Sequence, residues 1–221
     1  MAYLLTAAAT AAEYRQRNGR TSADDDAYLG DLLTTVTRMC ERRVGVAPCM
    51  FNAQTDSLSF TFRAIGGSRL YLRDGRGSQY FLRGVAANGI DIDSEQDGTF
   101  DGYQLDLSDA WVVGHPRDAL QFSEPYTAFD ILPGVASADP TSWTDGYEVR
   151  ITSTLWGWAA VPGSFKERVI GITRELVEAH IAGPTMTLQD IESSAQMTPG
   201  VMRLMSLLEQ EYRYRMPAGV L

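Results

Sequence analysis

Apolar positions recur at helical spacing near both ends of this chain and at strand spacing in its middle. Leu29, Leu32, Leu33, Val36 and Cys40 share one narrow face, while Asp31, Thr34, Arg38 and Glu41 cover the opposite side. That pattern predicts an amphipathic helix. Ser22 is the expected N-cap, with Asp24, Asp25 and Asp26 in the first turn. Arg38, Arg42 and Arg43 lie near the end and Gly45 closes the helix. Charges so placed complement both poles of the helix dipole. An earlier helix is expected from Thr6 to Arg17, stopping at Asn18-Gly19.

From Leu58 to Thr154 the texture changes to short alternating, β-branched or aromatic runs. The runs are Leu58–Arg63, Arg69–Arg73, Tyr80–Leu82, Ile90–Ile92, Tyr103–Leu107, Trp111–Val113, Phe129–Leu132 and Tyr147–Thr154. Turn-favouring pairs separate them: Gly66-Gly67, Asp74-Gly75, Asn88-Gly89, Asp97-Gly98 and Asp145-Gly146. Long loops are expected around His115-Pro116 and Ser137–Thr141. The reading is an antiparallel β region of about seven strands, either a small sandwich or an open barrel.

Helical spacing returns after Val161-Pro162, a dipeptide suited to a first turn. Phe165, Val169, Ile172 and Leu176 make one face; Ile170, Val177 and Ile181 make a second. Glu167, Arg174, Glu175 and Glu178 leave only a narrow polar side. An arc this broad needs cover on two sides, from helices of the same chain or from a neighbouring subunit. Gly183-Pro184 ends the helix, and a short one around Leu188–Ser193 follows. A last helix starts at Thr198-Pro199, with Val201, Leu204, Met205, Leu208 and Tyr212 as its stripe. The fold class is therefore α+β: a helical bundle of roughly three to four helices with an inserted antiparallel β region. The expected divisions are 1–50 for the N-terminal helices, 51–154 for the β insert, 155–198 for the continued helical domain, and 199–221 for the last helix and tail.

Composition narrows the function classes. At 221 residues, 44% hydrophobic and 21% charged, the chain can bury a substantial core. No apolar run approaches bilayer length, so no membrane partner is expected. The start, MAYLLTAAATAAEYRQRNG, lacks a basic leader and reads as a helix rather than a signal peptide. The net charge of −9, without a basic stripe, argues against sequence-specific nucleic-acid binding. It remains compatible with DNA passing nearby, because an acidic wall repels phosphate. Basic residues are 18 Arg and one Lys, Lys166. Two cysteines, Cys40 and Cys49, are too few for a disulfide scaffold or a zinc cage.

No arrangement of reactive residues forms a coherent active site. Asp91, Asp93, Glu95, Asp97, Asp101 and Asp106 cluster, and a calcium loop starting at Asp93 would put Gly98 sixth and Asp101 ninth. Glu95 is too long for the third position, and Gln104 replaces the closing glutamate, so a solvated acidic loop is the better reading. His115 and His180 lack a recognisable nucleophile or ligand set. Gly75-Arg76-Gly77 reads as a hairpin turn, not a phosphate loop. Leu155-Trp156-Gly157-Trp158 would stack on sugars if exposed, or cover the core where strand becomes helix; the packing role is favoured. No cofactor or metal is expected.

Two segments carry a resemblance. Val149, Ile151, Trp156, Gly157, Trp158, Pro162, Val169 and Leu176 lie in a passage of strand, Trp-Gly-Trp turn, proline and helix. Leu4 to Gly45 supplies a short helix, an acidic run at Asp24-Asp25-Asp26 and a second helix with Leu29, Leu32 and Leu33. In this order, separated by a β region, they resemble the head–tail connector (head-completion adaptor) family of long-tailed bacteriophages. The middle segment, Phe51 to Gly146, is longer than in the smallest members. The resemblance implies a virion neck protein without enzymatic activity, made and assembled in the host cytoplasm. It implies a self-associated dodecameric ring that docks on the portal protein and offers its other face to a stopper or tail-completion protein. DNA would pass through without sequence-specific binding. Within that reading Phe165, Ile170, Val177 and Ile181 are the expected subunit interface, and Tyr212, Arg213, Tyr214 and Arg215 the expected portal contact. Trp156, Gly157, Trp158 and Pro162 form the structural motif. The alternatives are another neck or tail-completion protein, and a carbohydrate- or receptor-binding β module.

Overall fold

A computed structural model describes residues 7–19, 23–100, 103–105, 107, 112–117, 119–122, 124–132, 142–178 and 198–213. The expected short helix at 188–193, and Ile181, Tyr214, Arg215, His180 and Trp111, lie outside these residues. The class is α+β, with four α-helices and seven strands among the described residues. The chain divides into two compact units. One joins residues 1–51 to 161–221; the other is the segment between them, 52–160.

In the helical unit, α1 (Ala11–Asn18) begins later than its sequence suggests. Thr10 caps it through a reciprocal box with Glu13, and Gly19 closes it in the left-handed conformation at φ 64°. The T-x-x-E spacing that encodes this box is visible in the sequence. The second helix, α2 (Asp26–Arg43), starts at the last of the three aspartates, so only Asp26 lies in the first turn and Asp25 is the cap residue. Its apolar stripe is buried as the periodicity requires. Thr37 and Glu41 are buried as well, although Glu41 was expected on the polar side.

The third helix, α3 (Gly163–Glu178), and the fourth, α4 (Pro199–Arg213), complete this unit. Pro162 directly precedes α3, and its carbonyl accepts the Lys166 N–H at 3.0 Å. Thr198 does the same for Met202 at the start of α4. Helix α1 packs on α2, α2 on α3, and α4 on both α2 and α3. The aromatic heart is Phe51, Phe165 and Tyr212. Phe51 and Phe165 stack at 3.8 Å between centroids, and Tyr212 stands edge-on to both.

The β unit contains two antiparallel sheets. The larger joins β1 (Leu58–Arg63), β3 (Leu82–Asp93), β4 (Tyr103–Leu105) and β7 (Glu148–Trp156) in the order β1-β7-β3-β4. The smaller joins β2 (Arg69–Tyr71), β5 (Val112–His115) and β6 (Ala128–Ile131) in the order β2-β6-β5. A 3-10 turn, Ala119–Phe122, follows β5. Phe60, Ile151, Ile90 and Leu105 stand opposite one another across all four strands of the larger sheet, and all four are buried. Such cross-strand rows hold a sheet's core face together.

Leu82, the last residue of the expected run Tyr80–Leu82, and the run Ile90–Ile92 lie on one long strand here, β3, which Tyr80 and Phe81 precede. Asn88-Gly89 is not a hairpin turn but the crest of a bulge, where the register jumps between Val85 and Ile90. Asn88 takes φ 51°. A β-carbon on Gly89 would meet the Ala86 carbonyl oxygen at 2.6 Å, so the bulge closes only over glycine. In the smaller sheet Gly114 leaves room for the Tyr126 ring, which a β-carbon would approach to 2.4 Å.

Candidate functional site

The residues singled out in the sequence fall into three settings. Trp156 ends β7 as a buried side chain, and its indole N–H donates to the Asp56 carbonyl at 3.0 Å. Gly157 turns the chain with φ 74°, its N–H bonded to the Phe81 carbonyl at 2.8 Å. Trp158 packs edge-on against Phe81. Trp143 is also buried and donates to the Phe129 carbonyl at 3.0 Å. Indoles held by core hydrogen bonds do not offer the flat exposed ring that sugar stacking needs. Trp156 and Trp143 are therefore core side chains, whereas Trp158 is half-buried.

The second setting is α3. Phe165 and Ile170 are 0% and 5% exposed, covered by residues of their own unit. The two-sided cover that the broad apolar arc requires is supplied largely from within, by α2 and α4. Gly171 admits Leu204 of α4. Val177 is half-buried and is the member of the expected interface set that reaches the described surface. Tyr212 points inward. Its hydroxyl shares a 2.8 Å hydrogen bond with Ser164, and its ring belongs to the aromatic core. Arg213 ends α4.

The third setting is one that linear patterns do not reveal. A cleft of ≈ 580 Å³ runs beside α1 and α3, lined by Glu13, Gln16, Arg17, Lys166, Glu167 and Ile170. Lys166 donates to Glu13 at 2.7 Å, and Arg17 pairs with Glu167. The Lys166 contact, joined by the Thr10 N–H, holds the Glu13 carboxyl below its ordinary range. The rim is thus lined by alternating charges above an apolar floor at Ile170. Its partners lie some 150 positions apart in the chain, and no local spacing signals such pairs.

Charged groups elsewhere have structural tasks. Glu41 pairs with Arg38 and accepts backbone N–H groups from Cys49 and Phe51; burial pushes its carboxyl up. Arg38 also reaches the Cys49 sulfur at 3.1 Å. Burial likewise raises the Cys40 thiol far above its ordinary value, as expected of an inert buried cysteine. Asp93 accepts the N–H groups of Gln96 and Gly98 at 2.7 and 2.8 Å, which folds the acidic loop on itself. Arg69 forks onto Asp130 through two 2.7 Å bonds and touches His115 Nδ1 at 3.3 Å. Among the described residues no group of three His, Cys, Asp or Glu side chains is placed to hold a metal ion. Among them, too, no helix is long and apolar enough to cross a membrane.

The charge is divided unevenly. The β unit holds 15 Asp and Glu against seven Arg, a formal −8, and the helical unit 13 against 12, a formal −1. Neither the family models nor the curated proteins contain a match to this chain.

Proposed function

We propose that this chain is a structural virion protein, a head-to-tail adaptor that assembles as a ring between the portal protein and a stopper or tail-completion protein. The observation that carries this reading is the division of the chain. Helices from both ends of the sequence make one compact unit, and a β unit is inserted between residues 51 and 161. That is the order in which the sequence resembles the connector family. The acidic balance fits a wall past which DNA slides without adhering.

Within the ring, Val177 and Ile181 are the residues assigned to the contact between copies, while the buried Phe165 and Ile170 hold α3 in its own unit. Tyr212 anchors the end of α4, and Arg213, Tyr214 and Arg215 are the residues assigned to the portal contact. Aromatic and arginine residues of this kind are frequent interface anchors. The direct test is genetic. Phage made without this chain should accumulate DNA-filled heads and separate tails that do not join. Normal yields of infectious virions, or heads that fail to package, would overturn the assignment.

A further inference from the structure

At one turn of the β unit two side chains carry hydrogen-bond donors without acceptors. Arg83 of β3 is half-buried, and its Nε donates to the Gly157 carbonyl at 2.9 Å. Among the described residues its two Nη groups have no partner. Other arginines of this unit are answered differently. Arg69 pairs with Asp130 and Arg150 with Asp91, while Arg63, Arg76 and Arg117 are exposed to water. Burial holds the Arg83 guanidinium below its ordinary range, and no carboxylate offsets that effect. A partly desolvated charge without a counter-charge is costly. The second donor is the indole Nε1 of Trp158, which has almost no exposed surface and no acceptor. An indole nitrogen can only donate, so only an acceptor relieves it.

The two side chains belong to one place. Arg83 holds the carbonyl of the Gly157–Trp158 peptide, and the Trp158 ring stands edge-on to Phe81 at 6.0 Å between centroids. Phe81 lies two positions before Arg83, and its own carbonyl accepts the Gly157 N–H at 2.8 Å. In extended chain, side chains two apart share a face. Phe81, Arg83 and the turn at Gly157-Trp158 are thereby gathered on one side of the strand.

A planar guanidinium is matched by two oxygens of a carboxylate, which keeps lone pairs for a further N–H. A polyanion is a poor candidate, since a unit of formal charge −8 repels a run of phosphates far more than a single charge. We infer that Arg83 and Trp158 form a binding site for one carboxylate group. A small organic acid and an Asp or Glu side chain of another copy offer the same chemistry. The inference goes beyond the adaptor reading and does not depend on it.

Indole N–H resonances of the full-length protein read the site directly, with that of Trp158 assigned by its loss in Trp158→Phe. Acetate replaces chloride at constant ionic strength. The Trp158 resonance should move downfield and saturate while those of the other tryptophans stay in place, and Arg83→Gln should abolish the movement. A resonance already displaced in concentrated protein, and returning on dilution, would assign the carboxylate to another copy. One that responds to acetate alone would assign it to a free acid. No displacement with either acetate or protein concentration, or an equal one in Arg83→Gln, would overturn the site. A larger response to duplex DNA than to acetate would overturn the choice of a carboxylate. The wild-type titration decides the matter even where Arg83→Gln fails to fold.

Discussion

Phe51 and Phe165 stack face to face with ring centroids 3.8 Å apart and planes inclined by 17°. Phe51 is the last residue of the N-terminal segment and Phe165 lies in the first turn of α3, so this contact joins the two stretches of sequence that make the helical unit. Phe165→Ala removes the ring from a site with no exposed surface. It should cost about 3–5 kcal/mol and lower the chemical-denaturation midpoint sharply. Phe165→Leu should retain much of the stability. Equal midpoints for the alanine variant and the wild type would show that the stack is not what holds the unit together.

Two glycines within helices should respond oppositely. Nothing lies within 4 Å of where a β-carbon on Gly30 of α2 would point. Gly30→Ala should therefore stabilise by about 0.5–1 kcal/mol, through helix propensity alone. On Gly171 of α3 the β-carbon would already lie 3.2 Å from Leu204 Cδ1. Gly171→Val should destabilise by about 1–3 kcal/mol, since α3 and α4 must separate to admit it. Thermal melts of the two variants should shift in opposite directions.

Arg38 and Glu41 form an ion pair with side chains 11% and 2% exposed. Arg38→Met should cost about 3–5 kcal/mol, because Glu41 is left buried without its counter-charge. Arg38→Met/Glu41→Met should recover most of that loss. A double variant less stable than either single one would show that the backbone N–H groups of Cys49 and Phe51 depend on the carboxylate.

Glu13 has the opposite character, a half-exposed carboxyl held low by Lys166 and by the Thr10 cap. A carboxyl whose value falls on folding stabilises the fold above its unfolded value, ordinarily near 4.5. That contribution disappears as pH drops through the folded value. Urea titrations of wild type and Glu13→Gln should differ at neutral pH and converge in acid. Curves separated by the same amount at both would exclude the Lys166 contact as the cause.

The helices were legible because one side of each is consistently apolar, as with Leu29, Leu33, Val36 and Cys40. The strand at Leu58–Arg63 was legible from alternation and bounding turns, and the run expected at Phe129–Leu132 lies one residue earlier, at Ala128–Ile131. The long strand β3 was not, since Asn88-Gly89 carries the signature of a turn, and only pairing with β7 turns it into a bulge. Glu41 was misplaced because periodicity assigns a face but cannot foresee a loop folding back with N–H groups to offer. The inward turn of Tyr212 has a similar origin. It lies on the stripe with Leu208 and Met205, so periodicity put it in the core, while its residue type suggested an interface. The cleft beside α1 and α3 was invisible, being made of pairs that only the tertiary fold brings together.

The central claim is that identical copies of this chain close around a hole. Electron-microscopic class averages of the full-length protein, alone and mixed with the portal protein, measure that directly. The account predicts annular particles of uniform rotational symmetry, disrupted by Val177→Asp without loss of helical circular dichroism. A protein that stays monomeric in both conditions, at concentrations where portal is fully assembled, would contradict it.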